Sequence, residues 1–521
     1  MDGSGSGKSA SYSIPNAHQC LGSYVFTDPK GELYDRTAGY LKEKGYDIKV
    51  LNLVRPQYSD GYNPLMHISS ELDVDVIANT IVKGQKTDSG SDPYWDDMAE
   101  MLLKALIYYL IATRPEEEQN LASCAELVRA ANKNGGSNLL SDLISQLPYD
   151  HPARMYYKSI EIAPEKTYGS ILSSLQSKLG KFDSKDIAEL TSTDTIDFEE
   201  IGSKKTAVYV ISSDTHTAYD FLLTIFFSQM IQQLYDYADK NGGKLKERTY
   251  FILDEFANIG KIPDFDKKIS TSRSRGISFS VILQNIDQLE AVYEKSYETI
   301  MGNCDTHVFL GSNSFKTVEY FSKALGEKTI GRDSISISRD KQNHKTGKSV
   351  SDQVMARALM TPDELRRMDN DLCIIYEKGI KPVKANKFYY FKHQMAKEME
   401  KVEISHNDIG EIDRGTWRKY NPYNPYVEEK EDKSIDNLDI ESLDDLFDDI
   451  DKDKKEEINV EEQNFNNQIK EKEEKALDNI LDLNFEDDAP VLPQENDEDT
   501  YDLQKELEAK FDELFGPLDE D

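Results

Sequence analysis

Seven short runs of apolar, β-branched and aromatic residues recur along the first 380 residues and constrain the fold more than any other feature. Several of them are apolar at consecutive positions, as expected for strands of a parallel sheet covered by helices on both faces. Segments of helical pattern separate most of the runs, so the sequence predicts an α/β fold built on a parallel sheet. The runs are residues 23–28, 47–53, 206–212, 249–255, 278–284, 306–311 and 372–379.

The stretch between the second and third runs has little strand character and several helical patterns. One helix is predicted over residues 91–114, with Pro93 in its first turn. A second is predicted to begin at Pro115 and to stop at Gly135. We therefore predict an all-α domain inserted into the sheet domain. The predicted boundaries are 1–65 for the first part of the sheet domain, 66–200 for the insert, 201–397 for the second part and 398–521 for a tail.

The charge of the chain is unevenly distributed. Residues 401–521 hold 41 acidic against 14 basic residues, a net charge of −27, so residues 1–400 carry only −8 of the total −35. Any contact with nucleic acid must therefore rest on local basic patches. We predict that the acidic tail is largely disordered.

Three segments of the tail repeat a leucine and phenylalanine stripe on an acidic background: residues 443–450, 477–485 and 507–518. Two interpretations remain open for them. They are marginal helices of a solubilising tail, or docking motifs that fold on a basic partner.

The four cysteines are far apart, and neither they nor the eight histidines have the spacing of a zinc site. The sequence therefore predicts no zinc site and no disulfide framework, as suits a reducing cytoplasm. The longest apolar runs, residues 105–112 and 221–227, are well short of the roughly 20 residues of a membrane-spanning helix.

A glycine-rich segment, GSGSGKS, opens the chain at residues 3–9. It is either a phosphate-binding loop or a flexible Gly/Ser spacer. In a phosphate loop, the backbone of Gly5, Ser6 and Gly7 surrounds the β-phosphate, Lys8 neutralises the β- and γ-oxygens, and Ser9 binds Mg²⁺. The full pattern would place a glycine where Asp2 stands, and would place a strand before the loop.

The fourth apolar run ends in two carboxylates, within RTYFILDEFANIG at residues 248–260. This is the pattern of a Walker B strand, in which Asp254 binds Mg²⁺ and Glu255 is the general base that activates the attacking water. The alternative is a pair of acids that caps a strand. Because GSGSGKS occurs in the same chain, an ATP site is the stronger interpretation.

The fifth run follows a basic segment and ends at Gln284. In oligomeric ATP-driven motors, a glutamine at this position senses the γ-phosphate, and an arginine reaches the nucleotide of the neighbouring subunit. Arg273 and Arg275 are the candidates for that arginine. The alternative is that both are solvated surface residues.

Together these segments resemble the type IV secretion coupling proteins of the TraG/TraD-like conjugative DNA-transfer family, with the Gram-positive branch the most similar. The resemblance covers residues 3–395 in order. It rests on YVFTDPKGELYDRTAGYLKEKGYDIKVLNLV (24–54), YNPL (62–65), APEKTYGSILSSLQSKL (163–179), ILDEFANIGKIPDF (252–265), SRSRGISFSVILQNIDQL (272–289) and LMTPDELRRM (359–368).

The resemblance implies a hexameric ATPase on the cytoplasmic face of the cell membrane, with a RecA-like nucleotide-binding domain and the inserted all-α domain. It implies ATP and Mg²⁺ as cofactors, and as partners single-stranded plasmid DNA, the relaxase and its accessory proteins, and the secretion channel. By motif position the family's nucleotide residues correspond to Gly5, Gly7, Lys8 and Ser9, its Walker B acids to Asp254 and Glu255, its glutamine to Gln284 and, more loosely, its arginine to Arg275.

The family also has N-terminal transmembrane helices and a strand before the phosphate loop. The sequence is therefore expected to lack the membrane region of its family and, alone, to be cytoplasmic. Two further functions stay open. One is a DNA-translocating motor of the FtsK type, and the other is a truncated, non-catalytic adaptor that docks relaxosome proteins through its acidic tail.

Overall fold

The computed structural model describes residues 7–84, 93–131, 138–213, 219–339 and 346–425. For residues 332–339 and 346–353 it describes the backbone alone.

Five parallel strands form the central sheet, in the order β2-β3-β1-β4-β5. Val25 in the middle strand pairs with Val208 on one side and Phe251 on the other. The predicted α/β fold with a parallel sheet is confirmed. The strands are β1 (Ser23–Thr27), β2 (Asp47–Asn52), β3 (Thr206–Ile211), β4 (Thr249–Leu253) and β5 (Ile277–Val281).

Both faces of this sheet are covered by apolar side chains, which explains the consecutive apolar residues of its strands. Val25 and Val208 belong to one hydrophobic cluster, whereas their neighbours Phe26 and Tyr209 belong to a second cluster. β1 and β3 are buried at every residue.

Helices surround the sheet, and within the described residues α3 to α10 are the elements longer than a single turn between β2 and β3. The helices are α1 (Ile14–His18), α2 (Glu32–Glu43), α3 (Glu71–Lys83), α4 (Pro93–Thr113), α5 (Leu121–Ala131), α6 (Leu139–Ser145), α7 (Pro152–Glu161), α8 (Glu165–Leu179), α9 (Lys185–Leu190), α10 (Phe198–Ser203), α11 (Asp220–Lys240), α12 (Phe265–Arg275), α13 (Ile286–Tyr293), α14 (Tyr297–Asn303), α15 (Phe315–Leu325), α16 (Pro362–Arg366) and α17 (Met395–Met399). Single 3₁₀ turns cover Pro56–Tyr58, Glu116–Glu118, Gly180–Asp183, Phe256–Ile259, Glu294–Ser296, Tyr390–Lys392 and Glu400–Val402, and a π-helical turn covers Ser9–Ser13.

The helical stretch between β2 and β3 is centred on α4, which packs against α3, α7 and α8. The domain boundaries at 66 and 200 stay predictions. One helix start was wrong: the helix predicted from Pro115 begins at Leu121. The reason is that the Asn120 side chain accepts a hydrogen bond from the backbone N–H of Ser123 at 2.8 Å and so acts as the N-cap.

A second, antiparallel sheet follows the central one, in the order β10-β9-β6. The expectation that runs 306–311 and 372–379 are parallel strands was therefore wrong. In β6, Thr306 and Val308 are exposed, and a sheet with one solvated face is typically antiparallel. Its strands are β6 (Thr306–Phe309), β9 (Leu372–Glu377) and β10 (Val383–Asn386), and between β6 and β9 a long hairpin pairs β7 (Glu327–Arg339) with β8 (Thr346–Ala358).

Residues 398–425, which we name the C-terminal strap, pack on the rest of the chain. The expectation of disorder from residue 398 does not hold for this segment. Arg414 is buried, and it pairs with Glu189 at 2.8 Å and donates to the carbonyl oxygen of Pro56 at 3.0 Å. Tyr420 is also buried, with the Arg114 guanidinium 4.2 Å above its ring. The three acidic motifs of the tail lie outside the described residues and stay predictions.

In the described part of the chain, no helix combines the length and the apolar character that crossing a membrane requires.

Candidate active site

The phosphate loop is described from Gly7 onward, whereas Gly5 and Ser6 lie outside the described residues. Gly7 has a φ of +72°, a backbone conformation that residues with a side chain rarely adopt. A Cβ atom at this position would also lie 2.8 Å from Cε1 of Tyr389. The carbonyl oxygen of Gly7 accepts hydrogen bonds from the backbone N–H of Ser11 at 2.7 Å and from its hydroxyl at 2.6 Å. The loop thus runs directly into a helical start, an arrangement that favours anions.

The Ser9 hydroxyl connects this helical start to the end of β4. It donates to Oδ2 of Asp254 over 3.3 Å, across 245 residues of sequence. The carbonyl oxygen of Asp254 accepts from Oγ1 of Thr27 at 2.7 Å, which ties the end of β4 to the neighbouring β1. The structure therefore brings together the two residues predicted to hold Mg²⁺.

Asp254 is only 9% exposed. Burial raises the pKa of its carboxyl group, and the charge of Glu255 raises it further. The charge of Lys8 opposes this shift, as do hydrogen bonds from the Ser9 hydroxyl and from the backbone N–H of Glu255. A cation beside Asp254 would stabilise its ionised form.

Within the described residues no group of three or more His, Cys, Asp or Glu side chains is placed to hold a metal ion. The oxygen donors of Ser9 and Asp254 suit Mg²⁺, which usually takes one or two protein ligands and completes its shell with water and phosphate. The donor set therefore fits a magnesium ion that arrives with a nucleotide.

Glu255 follows Asp254 in a left-handed backbone conformation, with a φ of +51°. Two amides hold its carboxylate. Gln284 donates from Nε2 to Oε1 at 3.2 Å, and Asn258 donates from Nδ2 to Oε2 at 3.1 Å. Non-glycine residues with such a strained backbone conformation are often found at functional sites.

Gln284 was predicted from the sequence, whereas Asn258 was not. Residues 256–259 form a 3₁₀ turn, which returns the side chain three positions after Glu255 to its carboxylate. The spacing E-x-x-N directly after a Walker B strand is the signal that could have identified it.

Arg275 does not join this group within the chain. Its guanidinium makes two hydrogen bonds of 3.0 Å to the carboxylate of Asp239 and lies 4.6 Å from the centre of the Tyr235 ring. The hydrogen bonds to Asp239 raise the pKa of Arg275. The Arg273 side chain is 92% exposed, with Nη1 3.8 Å from Asp305.

A cavity of about 600 Å³ opens beside Ser9. It lies between the helical segment from Ser9 to Ile14, α2 and the C-terminal strap. The strap is fixed there by His406, whose Nδ1 lies 2.8 Å from Oδ1 of Asp35, and by the ion pair of Arg36 with Glu403. Four carboxylates and one paired arginine give the cavity an acidic lining, which does not suit a polyphosphate. The lining residues are Ser9, Ala10, Ile14, Glu32, Asp35, Arg36, Tyr390, Glu403, Ile404, Ser405 and Asp408.

The DPKGE segment follows β1, and its aspartate has a structural position. Oδ2 of the buried Asp28 accepts from the backbone N–H of Tyr34 at 2.8 Å, in the first turn of α2. Burial raises the pKa of Asp28 to about 6. Asp28 thus holds the start of α2, whose residues line the cavity.

A known protein family matches most of the chain. Residues 1–410 match the family described as type IV secretory system conjugative DNA transfer.

Two groups of curated proteins are similar to the chain. The conjugal transfer protein TraG of Escherichia coli is 26% identical over 388 residues, which cover 70% of this chain and 60% of TraG. The protein VirD4 of Agrobacterium fabrum is 24% identical over 419 residues, which cover 76% of this chain and 59% of VirD4. The chain thus spans about 60% of the length of these relatives.

Solved structures of a plasmid coupling protein also match. The unbound bacterial conjugative coupling protein TrwBdeltaN70 matches at 15% identity with a TM-score of 0.48, over 71% of this chain and 85% of the TrwBdeltaN70 chain. The complex of TrwB with ADP and Mg²⁺ matches at 14% identity with a TM-score of 0.47, over 72% of this chain and 87% of the chain in that complex.

Proposed function

Because the chain belongs to the type IV secretory system conjugative DNA transfer family, we propose that it is an ATP-hydrolysing coupling protein. It recruits a relaxase-bound plasmid strand and drives it into a type IV secretion channel. The observation that carries the proposal is the contact of Ser9 with Asp254, beside a Glu255 held by two amides. The family predicted from the motifs is confirmed, whereas the Gram-positive branch stays a prediction.

The phosphates of ATP bind at the glycine-rich loop, where Lys8 neutralises their charge and the helical start after Gly7 favours an anion. Ser9 and Asp254 hold Mg²⁺, which neutralises charge on the phosphates when it is bound. The buried carboxylate of Asp254 supports this assignment, because a nearby cation would offset the burial that raises its pKa.

Glu255 acts as the general base. It accepts a proton from the water whose oxygen forms the new bond to the γ-phosphorus, while the bond from that phosphorus to the ADP oxygen breaks. Gln284 and Asn258 orient its carboxylate through one oxygen each. The proposed role of Gln284 is to sense the γ-phosphate, and its hydrogen bond to Glu255 supports this role.

We extend the proposal to Arg275 as the residue that reaches the nucleotide of a neighbouring copy in a homo-hexamer. The Arg275 side chain is 24% exposed. This role requires the ion pair of Arg275 with Asp239 to open when copies assemble.

The proposed partners are single-stranded plasmid DNA, the relaxase with its accessory proteins, and components of the secretion channel. The net charge of −27 over residues 401–521 supports docking of a basic partner by the acidic tail. The proposed location is the cytoplasmic face of the cell membrane, where a secretion channel would receive DNA from the cell.

The test is the frequency of conjugative transfer in cells whose copy of the protein carries Lys8→Ala or Glu255→Gln. Both variants should reduce transfer to background, and the exposed Lys185→Ala should leave it unchanged. Normal transfer with both site variants would refute the motor and would favour a non-catalytic adaptor.

A further inference from the structure

Four consecutive aromatic residues, Phe388 to Phe391, follow β10, and we name them the aromatic segment. Phe388 is 48% exposed and Phe391 is 55% exposed, although both are large apolar side chains. Grouped exposed apolar side chains on a protein surface are typical of sites that contact a ligand or a partner.

The aromatic segment is fixed against the phosphate loop. Lys387, which precedes it, is buried, and its Nζ donates to the carbonyl oxygen of Leu310 at 2.7 Å. The ring of Tyr389 lies against Gly7, since a Cβ on that glycine would be 2.8 Å from Cε1 of the tyrosine. An aromatic ring therefore borders the place where a phosphate chain would be anchored.

Tyr389 and Phe391 form a stacked pair, with ring centres 5.1 Å apart and planes inclined by 26°. The ammonium group of Lys392 lies 4.7 Å from the centre of the Tyr389 ring. Because more than half of Phe391 is exposed, a planar ligand can extend this stack.

We propose that the purine base of the nucleotide stacks on the pair of Tyr389 and Phe391 while its phosphates are held from Gly7 to Ser9. This inference rests on the proposed ATPase function and assigns the part of the site that recognises the nucleoside. Stacking uses the π face that all bases share, so ATP and GTP should bind with affinities within a few-fold of each other.

In this proposal the base and the phosphates of the nucleotide contact different residues, so the two contributions to binding can be measured separately. Binding of ATP and of inorganic tripolyphosphate, both with Mg²⁺, is measured by calorimetry on the full chain. Phe391→Ala should lower the affinity for ATP on the order of tenfold and leave the affinity for tripolyphosphate unchanged. Phe391→Tyr, which retains an aromatic ring, should bind ATP as the wild type does.

One control variant and one further test variant are measured in the same way. Phe315→Ala removes a ring that is 74% exposed but belongs to α15, and it should not change ATP binding. Tyr389→Leu keeps an apolar side chain against Gly7 but removes the ring. It should also lower the affinity for ATP and leave the affinity for tripolyphosphate unchanged. Unchanged ATP binding in Phe391→Ala, or an equal loss of ATP and tripolyphosphate in both Phe391→Ala and Tyr389→Leu, would overturn the inference. Failure of the wild type to bind either ligand would refute the proposed function itself, and this inference with it.

Discussion

The hydroxyl of Ser9 donates a hydrogen bond to Oδ2 of Asp254 over 3.3 Å, so the glycine-rich loop meets the acidic end of β4. We expect Ser9→Ala to lower ATP hydrolysis by at least tenfold and to raise the Mg²⁺ concentration needed for half-maximal activity, because one of two protein oxygens is lost. The measurement is the rate of phosphate release as Mg²⁺ is varied. Ser170→Ala, an exposed serine of α8, is the matched control. An unchanged Mg²⁺ requirement would exclude Ser9 as a ligand.

The carboxylate of Glu255 accepts one amide from Gln284 and one from Asn258. Glu255→Gln should reduce kcat by about 10² to 10⁴ and leave ATP binding intact, because it removes the base and preserves the shape. Asn258→Ala should lower kcat by roughly tenfold at constant KM, because it removes one of the two hydrogen bonds that orient the Glu255 carboxylate. Asn303→Ala at the end of α14 is the control, and steady-state kinetics would decide. A rise in KM without a loss of kcat in Asn258→Ala would contradict the positioning role.

The ion pair of Arg275 with Asp239 gives a test of action between copies. We expect Arg275→Ala alone to be strongly impaired, by about 10³ or more if it acts as an arginine finger. Mixed with Lys8→Ala, it should regain activity, because each defective copy supplies the residue that the other lacks. The measurement is the ATPase rate of the mixture against the two separate variants. No recovery, together with a lowered melting temperature of Arg275→Ala, would identify Arg275 as structural.

Burial raises the pKa of Asp28 from its ordinary value of 3.8 to about 6. Between these values the folded chain binds the proton more tightly than the unfolded chain does. The stabilisation that this group provides is therefore complete below pH 3.8 and is lost as the pH rises through about 6. Relative to Asp28→Asn, the free energy of unfolding of the wild type should fall by up to about 3 kcal/mol between pH 4 and pH 7.

Urea denaturation at several pH values measures this difference, with the exposed Asp186→Asn as control. A difference between wild type and Asp28→Asn that stays constant with pH would contradict the raised pKa.

The C-terminal strap makes buried contacts through Arg414 and Tyr420. A chain that ends at residue 397 should therefore melt at a clearly lower temperature than a chain that ends at residue 425. The chain that ends at residue 425 should melt like the full chain if the acidic tail adds little stability. Arg414→Ala should lose about 1–3 kcal/mol, because Glu189 then loses its partner. Equal melting temperatures for the two truncated chains would show that the strap does not stabilise the fold.

The central sheet was predictable because its strands are buried on both faces and are therefore apolar at consecutive positions, as in β1 and β3. The same rule misassigned β6 and β9, which form an antiparallel sheet with β10. Pairing direction depends on which strands meet in space, and hydropathy along one strand does not contain that information.

In the site, the sequence motifs predicted Ser9, Asp254, Glu255 and Gln284, and the structure brings Ser9 to Asp254 and Gln284 to Glu255. Asn258 could have been predicted from its position three residues after Glu255. Tyr389 could not, because its contact with Gly7 joins residues far apart in the sequence. The strap was missed for a related reason. The buried Arg414 forms an ion pair with Glu189, and the polar sequence around Arg414 gives no sign of this long-range contact.

The most direct test of the ATP-driven motor is the rate of ATP hydrolysis by the wild-type and Lys8→Ala chains, with Mg²⁺, in the presence and absence of single-stranded DNA. The exposed Lys185→Ala serves as the matched lysine control. We predict hydrolysis that single-stranded DNA stimulates in the wild type and in Lys185→Ala, and that is absent in Lys8→Ala. Equal hydrolysis by the wild type and Lys8→Ala, or no hydrolysis by the wild type under either condition, would contradict the account.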